Sequence, residues 1–121
     1  MTSKRRKNLD EAKSNIQLAH ELSCPYIRVF PNSFPKDQGK KETIDLIVKN
    51  LQTLGDFAKG TGVKVLLETH GDLVRSEDIA LIMQSVANPG VGLVWDILNM
   101  WSVTREPVLA VYEKLKEYIY H

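Results

Sequence analysis

Three short apolar runs, separated by segments with helical spacing, constrain the fold of this chain more than any other feature. The runs occupy residues 26–30, 63–68 and 91–96, and each is rich in β-branched or aromatic residues. No two runs are joined by the short glycine- or asparagine-containing turn that is typical of a hairpin. Consecutive strands connected through helices are parallel, with right-handed crossovers. The pattern therefore predicts an α/β fold in which parallel strands alternate with helices.

Four amphipathic helices are predicted around these strands. Apolar positions recur at helical spacing in four segments: residues 8–22, 44–58, 76–86 and 107–115. Asn8 and Glu11 have the separation of a capping box, so the first helix is expected to begin near Asn8. Ser76 is placed to cap the third helix, and Pro107 is typical of a first helical position.

Two segments near the C-terminus have a different character. Residues 97–101 follow the third run and are predicted to form a loop that is unusually rich in large apolar side chains. A loop of this kind is typical of a surface covered by substrate, by another chain or by another part of a larger fold. Residues 117–121 have the pattern of a strand that has barely begun.

Composition narrows the class of protein. With 121 residues, of which 43% are hydrophobic, residues 1–121 are expected to form a single domain. The net charge of +1 argues against a nucleic-acid or membrane partner, and the basic residues 4–7 are expected to be a solvated tail or helix approach rather than a phosphate-binding arm. Cys24 is expected to be a small buried residue. The single cysteine and the lack of a signal peptide or a membrane-length apolar run indicate a cytoplasmic protein.

Polar residues stand where two of the runs end. The second run ends at Glu68, followed by His70 and Gly71, and the third ends at Asp96. Parallel α/β folds carry their chemistry at the carboxyl ends of their strands, so these side chains are candidates for a site. The alternative is that Glu68 begins an ordinary loop and that His70 is a turn residue exposed to solvent. Arg28, within the first run, either enters a polar pocket or extends to solvent at the sheet end.

Three of these segments, in this order and at this spacing, resemble the middle of a known family. Residues 27–30, 65–71 and 91–96 are similar to the xylose isomerase-like TIM barrels, the sugar phosphate isomerase/epimerase group that also includes apurinic endonucleases. The resemblance extends over about residues 9–121. A complete eight-stranded barrel needs roughly 250 residues, so the resemblance implies a partial barrel, about half of the whole.

The resemblance also implies an activity and a set of site residues. It implies a metal-dependent sugar or sugar-phosphate isomerase or epimerase, in which Glu68 and Asp96 bind Mn²⁺, Mg²⁺, Co²⁺ or Zn²⁺ and Glu68 is also the catalytic base. The implied substrate contacts are Arg28, His70, Asn99 and Trp101. Core packing is the alternative role for Trp101. The two carboxylates are expected to converge at one rim of the sheet, because they terminate neighbouring strands.

Two departures from the family leave a second reading open. The family's aspartate is often followed three residues later by a histidine, whereas Asp96 is followed by Asn99, and the later metal ligands are absent. The isolated chain could therefore fail to retain the metal and could instead be a non-catalytic half-barrel that assembles with itself or a partner. A DNA-repair activity would need more histidines and a basic groove.

Exposed apolar surface predicts assembly in either case. An open half-barrel leaves unpaired strand edges and an uncovered sheet face. We therefore expect a homo-oligomer in which a second copy covers the strand edges or the face lined by Val65, Leu67, Leu93 and Trp95.

Overall fold

The computed structural model describes residues 3–29, 39–69 and 74–121, with the side chains of residues 3–8 and 40 excluded. His70 and Gly71 therefore lie outside the described residues, as does Phe30. The described elements, in chain order, are α1 (Ser3–Glu21), β1 (Tyr26–Val29), α2 (Lys40–Ala58), β2 (Lys64–Glu68), α3 (Ser76–Val86), β3 (Val91–Val94), α4 (Ile97–Thr104), α5 (Val108–Leu115) and a 3-10 turn (Lys116–Tyr118). The predicted α/β alternation is confirmed.

The strands form one parallel sheet in the order β1-β2-β3. Val65 of β2 lies in register with Ile27 of β1 on one side and Val91 of β3 on the other. The predicted side-by-side parallel arrangement is therefore confirmed. Helical crossovers make this arrangement possible, since parallel neighbours cannot be joined by a tight turn.

A fourth strand begins at the C-terminus, as the sequence predicts. Ile119 forms a parallel bridge with Leu93. The Tyr120 N–H donates to the Leu93 carbonyl and the Trp95 N–H donates to the His121 carbonyl, each at 3.0 Å. The C-terminal segment, residues 119–121, therefore extends the sheet beyond β3.

The helices cover one face of the sheet. Val65, Leu67 and Leu93, at 0%, 2% and 0% exposure, belong to a core shared with apolar residues of the helices. The prediction that a second copy covers this face is therefore wrong, because the chain's own helices bury it. Strand residues alternate between faces, so Leu66 and Glu68 project to the opposite side, away from the helices.

The first helix begins earlier than predicted. It starts at Ser3 rather than near Asn8, so the basic residues 4–7 lie inside α1 and do not form a tail. Lysine and arginine are good helix formers, which explains why the helix continues through them. The predicted capping box at Asn8 is therefore wrong.

The predicted loop at 97–101 is also wrong, because these residues form most of α4. The Asp96 side chain accepts a hydrogen bond from the Asn99 N–H at 3.0 Å and caps the helix. Met100, only 2% exposed, anchors the helix to the core. A capping hydrogen bond and a buried apolar side chain one turn later both stabilise a short helix.

Two other helix starts differ slightly from the predictions. Ser76 is the first residue of α3 rather than its cap, and its N–H and hydroxyl both donate to Glu106. Pro107 precedes α5 by one residue. The α3 start depends on a partner 30 residues away, which local spacing does not reveal.

Two expectations from composition can be compared with the structure. Cys24 is exposed, so the prediction of a buried cysteine is wrong: the residue follows the end of α1 in a turn that leaves it on the surface. Among the described residues, no helix combines the length and apolar character needed to cross a bilayer.

Candidate functional site

The candidate site lies at the carboxyl edge of the sheet. Glu68 is the last residue of β2 and is aligned with Val94, the last residue of β3. Asp96 follows Val94 by two residues. Both acids therefore stand at the same edge of neighbouring parallel strands, where α/β folds place their chemistry. Convergence of the two carboxylates on one metal ion stays a prediction.

Arg28 is paired with Glu68 on the face of the sheet opposite the helices. The Arg28 Nη1 atom lies 3.3 Å from the Glu68 Oε1 atom. The side chain of Arg28 is 55% exposed and that of Glu68 is 13% exposed. Because one partner is so exposed, the pair contributes little to the free energy of unfolding. Its main consequence is to place positive charge beside the Glu68 carboxylate.

Thr69 connects the two strand ends. Its hydroxyl oxygen accepts a hydrogen bond from the Asp96 N–H at 2.8 Å, and its own N–H donates to the Val94 carbonyl at 3.1 Å. Thr69 is fully buried. The sequence reasoning missed this residue, although a hydroxyl directly between Glu68 and His70 was a signal that could have drawn attention to it. Thr69 fixes the backbone at Asp96 relative to the end of β2.

Asp96 and Asn99 form the start of α4. The Asn99 N–H donates to the Asp96 Oδ1 atom, so the link between them uses the Asn99 backbone. The Asn99 Nδ2 atom is buried and has no hydrogen-bond partner among the described residues, and the same is true of the Trp95 Nε1 atom. A buried donor without an acceptor costs about 1–3 kcal/mol, so each marks a place where an acceptor oxygen would be favourable.

Trp101 is not part of the core. It is 43% exposed, and the Arg105 guanidinium lies 4.2 Å from the centre of its ring. Together with Trp95, Trp101 lines a shallow pocket between α4 and α5. The described contacts therefore join Arg28 to Glu68 and Asp96 to Asn99, while they place Trp101 beside Arg105. His70 lies outside the described residues.

The two carboxylates, of Glu68 and Asp96, suit a hard divalent ion, although they supply few ligands. Within the described ranges, no group of three or more histidine, cysteine, aspartate or glutamate side chains could hold a metal ion. Carboxylate oxygens are nevertheless the ligands that Mg²⁺ prefers, and Mg²⁺ is often bound by one or two carboxylates together with water and substrate oxygens. Glu68 and Asp96 fit an ion of this type better than a thiophilic one.

Known structures share the fold of this chain. A xylose isomerase domain protein from Planctomyces limnophilus superposes with a TM-score of 0.78 at 21% identity, over 95% of this chain and 40% of that one. A xylose isomerase-like TIM barrel protein from Mycobacterium smegmatis, in complex with magnesium, gives 0.74 at 20% identity, over 93% and 43%. The probable 3-DHS dehydratase AsbF of petrobactin synthesis from Bacillus anthracis gives 0.73 at 17% identity, over 100% and 44%.

These comparisons show a partial barrel. The chain spans less than half of the length of each of these three structures. No curated protein sequence matches the chain. The family model described as xylose isomerase-like TIM barrel matches residues 2–121, which is nearly the full length of the chain. The chain therefore belongs to the xylose isomerase-like TIM barrel family, of which it forms a partial barrel.

Proposed function

We propose that this chain carries part of the active site of a metal-dependent sugar or sugar-phosphate isomerase or epimerase. The observation that supports this proposal best is the position of Glu68 and Asp96 at the same edge of adjacent parallel strands, with Thr69 linking the two strand ends. The magnesium in the Mycobacterium smegmatis structure adds support from a protein of the same fold. The family includes sugar isomerases and epimerases.

Glu68 and Asp96 would hold the ion, which we propose to be Mg²⁺ or Mn²⁺, with Co²⁺ or Zn²⁺ as substitutes. When bound, such an ion polarises a substrate carbonyl and makes a neighbouring C–H bond more acidic. We propose Glu68 as the base that would remove this proton, because a carboxylate is a suitable proton acceptor in general base catalysis.

The remaining candidates bind and orient the substrate. Arg28 places positive charge beside Glu68, which suits an anionic substrate such as a sugar phosphate. Asn99 carries a buried amide nitrogen that a hydroxyl oxygen would satisfy. Trp101 presents a partly exposed ring that can pack against the apolar face of a sugar. His70 is proposed for the same role from its sequence position.

The metal proposal is tested by titrating the 121-residue chain with Mn²⁺ in a calorimeter. We expect binding by the unaltered chain and at least tenfold weaker binding for Glu68→Gln and for Asp96→Asn. Glu113→Gln is the matched control, since Glu113 is an exposed acid on α5 that pairs with Lys116. No binding by the unaltered chain, or equal binding by all four proteins, would contradict the proposal.

The non-catalytic half-barrel remains a second candidate, because each acid also has a structural role. Asp96 caps α4 and Glu68 pairs with Arg28. Asp96→Asn distinguishes the two readings. Asparagine caps a helix as well as aspartate does, so the free energy of unfolding should be unchanged whichever reading is correct. Loss of Mn²⁺ binding at unchanged stability supports the metal site, whereas unchanged binding supports the purely structural role.

We also propose a cytoplasmic location. The single exposed cysteine supports a reducing compartment, because Cys24 has no second cysteine in the sequence to pair with. Recovery of the protein in the cytosolic fraction, with Cys24 reactive toward a thiol reagent, is the expected result. Recovery only in a secreted or membrane fraction would contradict it.

A further inference from the structure

Arg28 and Glu68 meet near the carboxyl edge of the sheet, on the face opposite the helices. Arg28 lies in register with Leu66 of β2, and Glu68 is the next residue of β2 on the same face. The Arg28 side chain therefore runs toward the carboxyl edge, where its Nη1 atom lies 3.3 Å from the Glu68 Oε1 atom. Asp96 follows β3, on the other side of β2. Glu68 thus stands between a cation on the β1 side and a second acid on the β3 side.

The two partners of this ion pair are held unequally. The Glu68 side chain is 13% exposed, and a carboxylate that is so far removed from water is stabilised by a nearby positive charge. The Arg28 side chain is 55% exposed, and the contact is longer than the about 2.7–2.9 Å that is typical of a strong charge-assisted hydrogen bond. Arg28 is therefore the partner that can be drawn away at small cost.

A divalent ion held by Glu68 and Asp96 would share the Glu68 carboxylate with Arg28. Like charges repel, and a unit charge about 6 Å from a divalent ion weakens its binding by about three- to tenfold when water and salt screen the interaction. An orienting role for Arg28 would act in the opposite direction, because a partner that fixes a metal ligand strengthens metal binding. The exposure of Arg28 and the length of its contact favour repulsion as the larger effect.

An oxyanion is the kind of ligand that would draw Arg28 away from Glu68. The planar guanidinium matches the geometry of a phosphate or a carboxylate group. Because the Arg28 side chain is more than half exposed, the anionic group of a substrate can reach it from solvent. Pairing with that group neutralises the positive charge beside Glu68 and so reduces the repulsion on the metal ion.

We propose that Arg28 couples the binding of an anionic substrate to the binding of the metal ion. Without ligands, Arg28 neutralises Glu68; an oxyanion on the β1 side then takes over the guanidinium, and the metal binds more tightly. By linkage, the metal strengthens anion binding by the same factor. This inference rests on the proposed function and deepens it, because it makes Arg28 the residue that selects substrates with a phosphate or carboxylate group over neutral sugars.

Titration of the 121-residue chain with Mn²⁺ in a calorimeter tests the repulsion. We expect Arg28→Met to bind Mn²⁺ about three- to tenfold more tightly than the unaltered chain, because it removes the charge and keeps an unbranched side chain. Arg28→Lys should bind nearly as the unaltered chain does, since it keeps the charge. Lys116→Met is the matched control, since Lys116 is an exposed cation paired with Glu113 in the turn that follows α5, and it should change nothing.

A second titration tests the coupling itself in the unaltered chain. Glycerol phosphate or glycerate at millimolar concentration should strengthen Mn²⁺ binding at least threefold, and glycerol should leave it unchanged. An effect of glycerol phosphate alone assigns the anion to a phosphate ester, and an effect of glycerate alone assigns it to a carboxylate. Both effects should disappear in Arg28→Met, and this comparison removes any contribution from direct binding of the anion to Mn²⁺.

The outcomes distinguish this inference from the metal site on which it rests. Circular dichroism shows whether each variant is folded, and the titration of the unaltered chain remains decisive if Arg28→Met is not. The inference is overturned, and the metal site left standing, if Mn²⁺ binding is equal or weaker in Arg28→Met, is unchanged by both anions, or is strengthened by them equally in Arg28→Met. No Mn²⁺ binding by the unaltered chain would overturn both.

Discussion

Thr69 illustrates how one buried side chain can position the candidate site without reacting itself. Its hydroxyl accepts from the Asp96 N–H across the gap between neighbouring strand ends. A buried hydrogen bond of this kind helps to fix backbone position, because a buried donor that loses its acceptor carries a desolvation cost. Thr69 is therefore expected to act as a positioning residue for Asp96.

Thr69→Val is expected to lower the free energy of unfolding by about 1–3 kcal/mol, because it keeps the shape of the side chain but leaves the Asp96 N–H without its acceptor. Urea denaturation measures this change. Thr53→Val, which removes a hydroxyl bonded within its own helix to Lys49, should change stability by less than about 0.5 kcal/mol. Equal effects of the two substitutions would show that Thr69 has no special role.

Gly92 permits the C-terminal segment to lie against β3. A Cβ atom added at Gly92 would lie 2.8 Å from the Tyr120 Cε2 atom and 3.0 Å from the Tyr118 carbonyl oxygen. The aromatic ring of Tyr120 therefore occupies the space that any larger residue at position 92 would need. The amino group of Lys64 lies 4.0 Å from the centre of the same ring and helps to hold it there.

Gly92→Ala is expected to destabilise the protein by about 1–3 kcal/mol through overpacking. Adding Tyr120→Ala should recover part of this loss in thermal or urea unfolding, because it removes the clashing ring. Gly39→Ala is the control, since the nearest atom to its added Cβ lies at 4.0 Å. If Gly92→Ala proved as mild as the control, the close packing of Tyr120 on Gly92 would be contradicted.

At the scale of whole elements, Glu106 joins α3 to the segment between α4 and α5. The Ser76 N–H and hydroxyl donate to the two Glu106 oxygens at 3.2 and 3.0 Å, and Lys114 donates to the same hydroxyl. Glu106 thus caps α3 from a distance and supplies negative charge at the positive end of that helix. The cap ties α3 to the segment that leads into α5.

Glu106→Ala is expected to cost about 1–2 kcal/mol in the free energy of unfolding, the usual effect of losing a helix cap. Glu106→Gln should cost less, because its side chain keeps one acceptor. Glu113→Ala is the control, since its pair with Lys116 is exposed and such pairs contribute at most about 1 kcal/mol. Equal losses for Glu106→Ala and Glu113→Ala in urea denaturation would count against the cap.

The C-terminal segment also predicts a pH dependence. Burial, followed by a hydrogen bond to Glu117, raises the pKa of Tyr118 above its usual value of 10. The folded state then holds the proton more tightly than the unfolded state does, so the contribution of Tyr118 is fully present below pH 10 and is lost as the pH rises through the raised pKa. Stability should therefore decline above about pH 10.

Denaturation at a series of pH values from 9 to 11 measures this decline. Tyr118→Phe should reduce it, while the pKa of Lys116, raised by its hydrogen bond with Glu113, contributes a decline in the same direction that remains in this variant. The ultraviolet absorbance of ionised tyrosine provides an independent readout of the Tyr118 pKa. An unchanged slope in Tyr118→Phe would contradict the assignment to this residue.

Sequence spacing predicted the strands and most helices because their patterns are local. It failed at α4, where the Asp96 side chain caps the helix by accepting a hydrogen bond from the Asn99 N–H, and at Ser76, whose partner lies 30 residues away. Large apolar residues at 97–101 suggested a covered loop, yet the same residues can form a helix once Asp96 provides the cap. The contact of Ser76 with Glu106 is not contained in any local pattern, whereas the cap by Asp96 is a local signal that the sequence reasoning overlooked.

At the scale of the whole molecule, the main error concerned which face of the sheet is covered. Period-two alternation correctly groups Val65 with Leu67, but both faces of a barrel sheet are rich in apolar residues. The pattern therefore could not tell the helix-covered face from the one that lines the barrel interior. The carboxyl-edge position of Glu68 and Asp96 could be predicted because it follows from strand ends alone, whereas the roles of Thr69 and Arg28 required the packed structure.

The most direct test of the proposed metal site is a crystal structure of the 121-residue chain grown with Mn²⁺, with anomalous scattering used to locate the ion. We predict an anomalous peak at the carboxyl edge of the sheet, with one oxygen of Glu68 and one of Asp96 each about 2.0–2.3 Å away. A peak at other residues only, or no peak while Glu68 stays bound to Arg28 and Asp96 only caps α4, would contradict it.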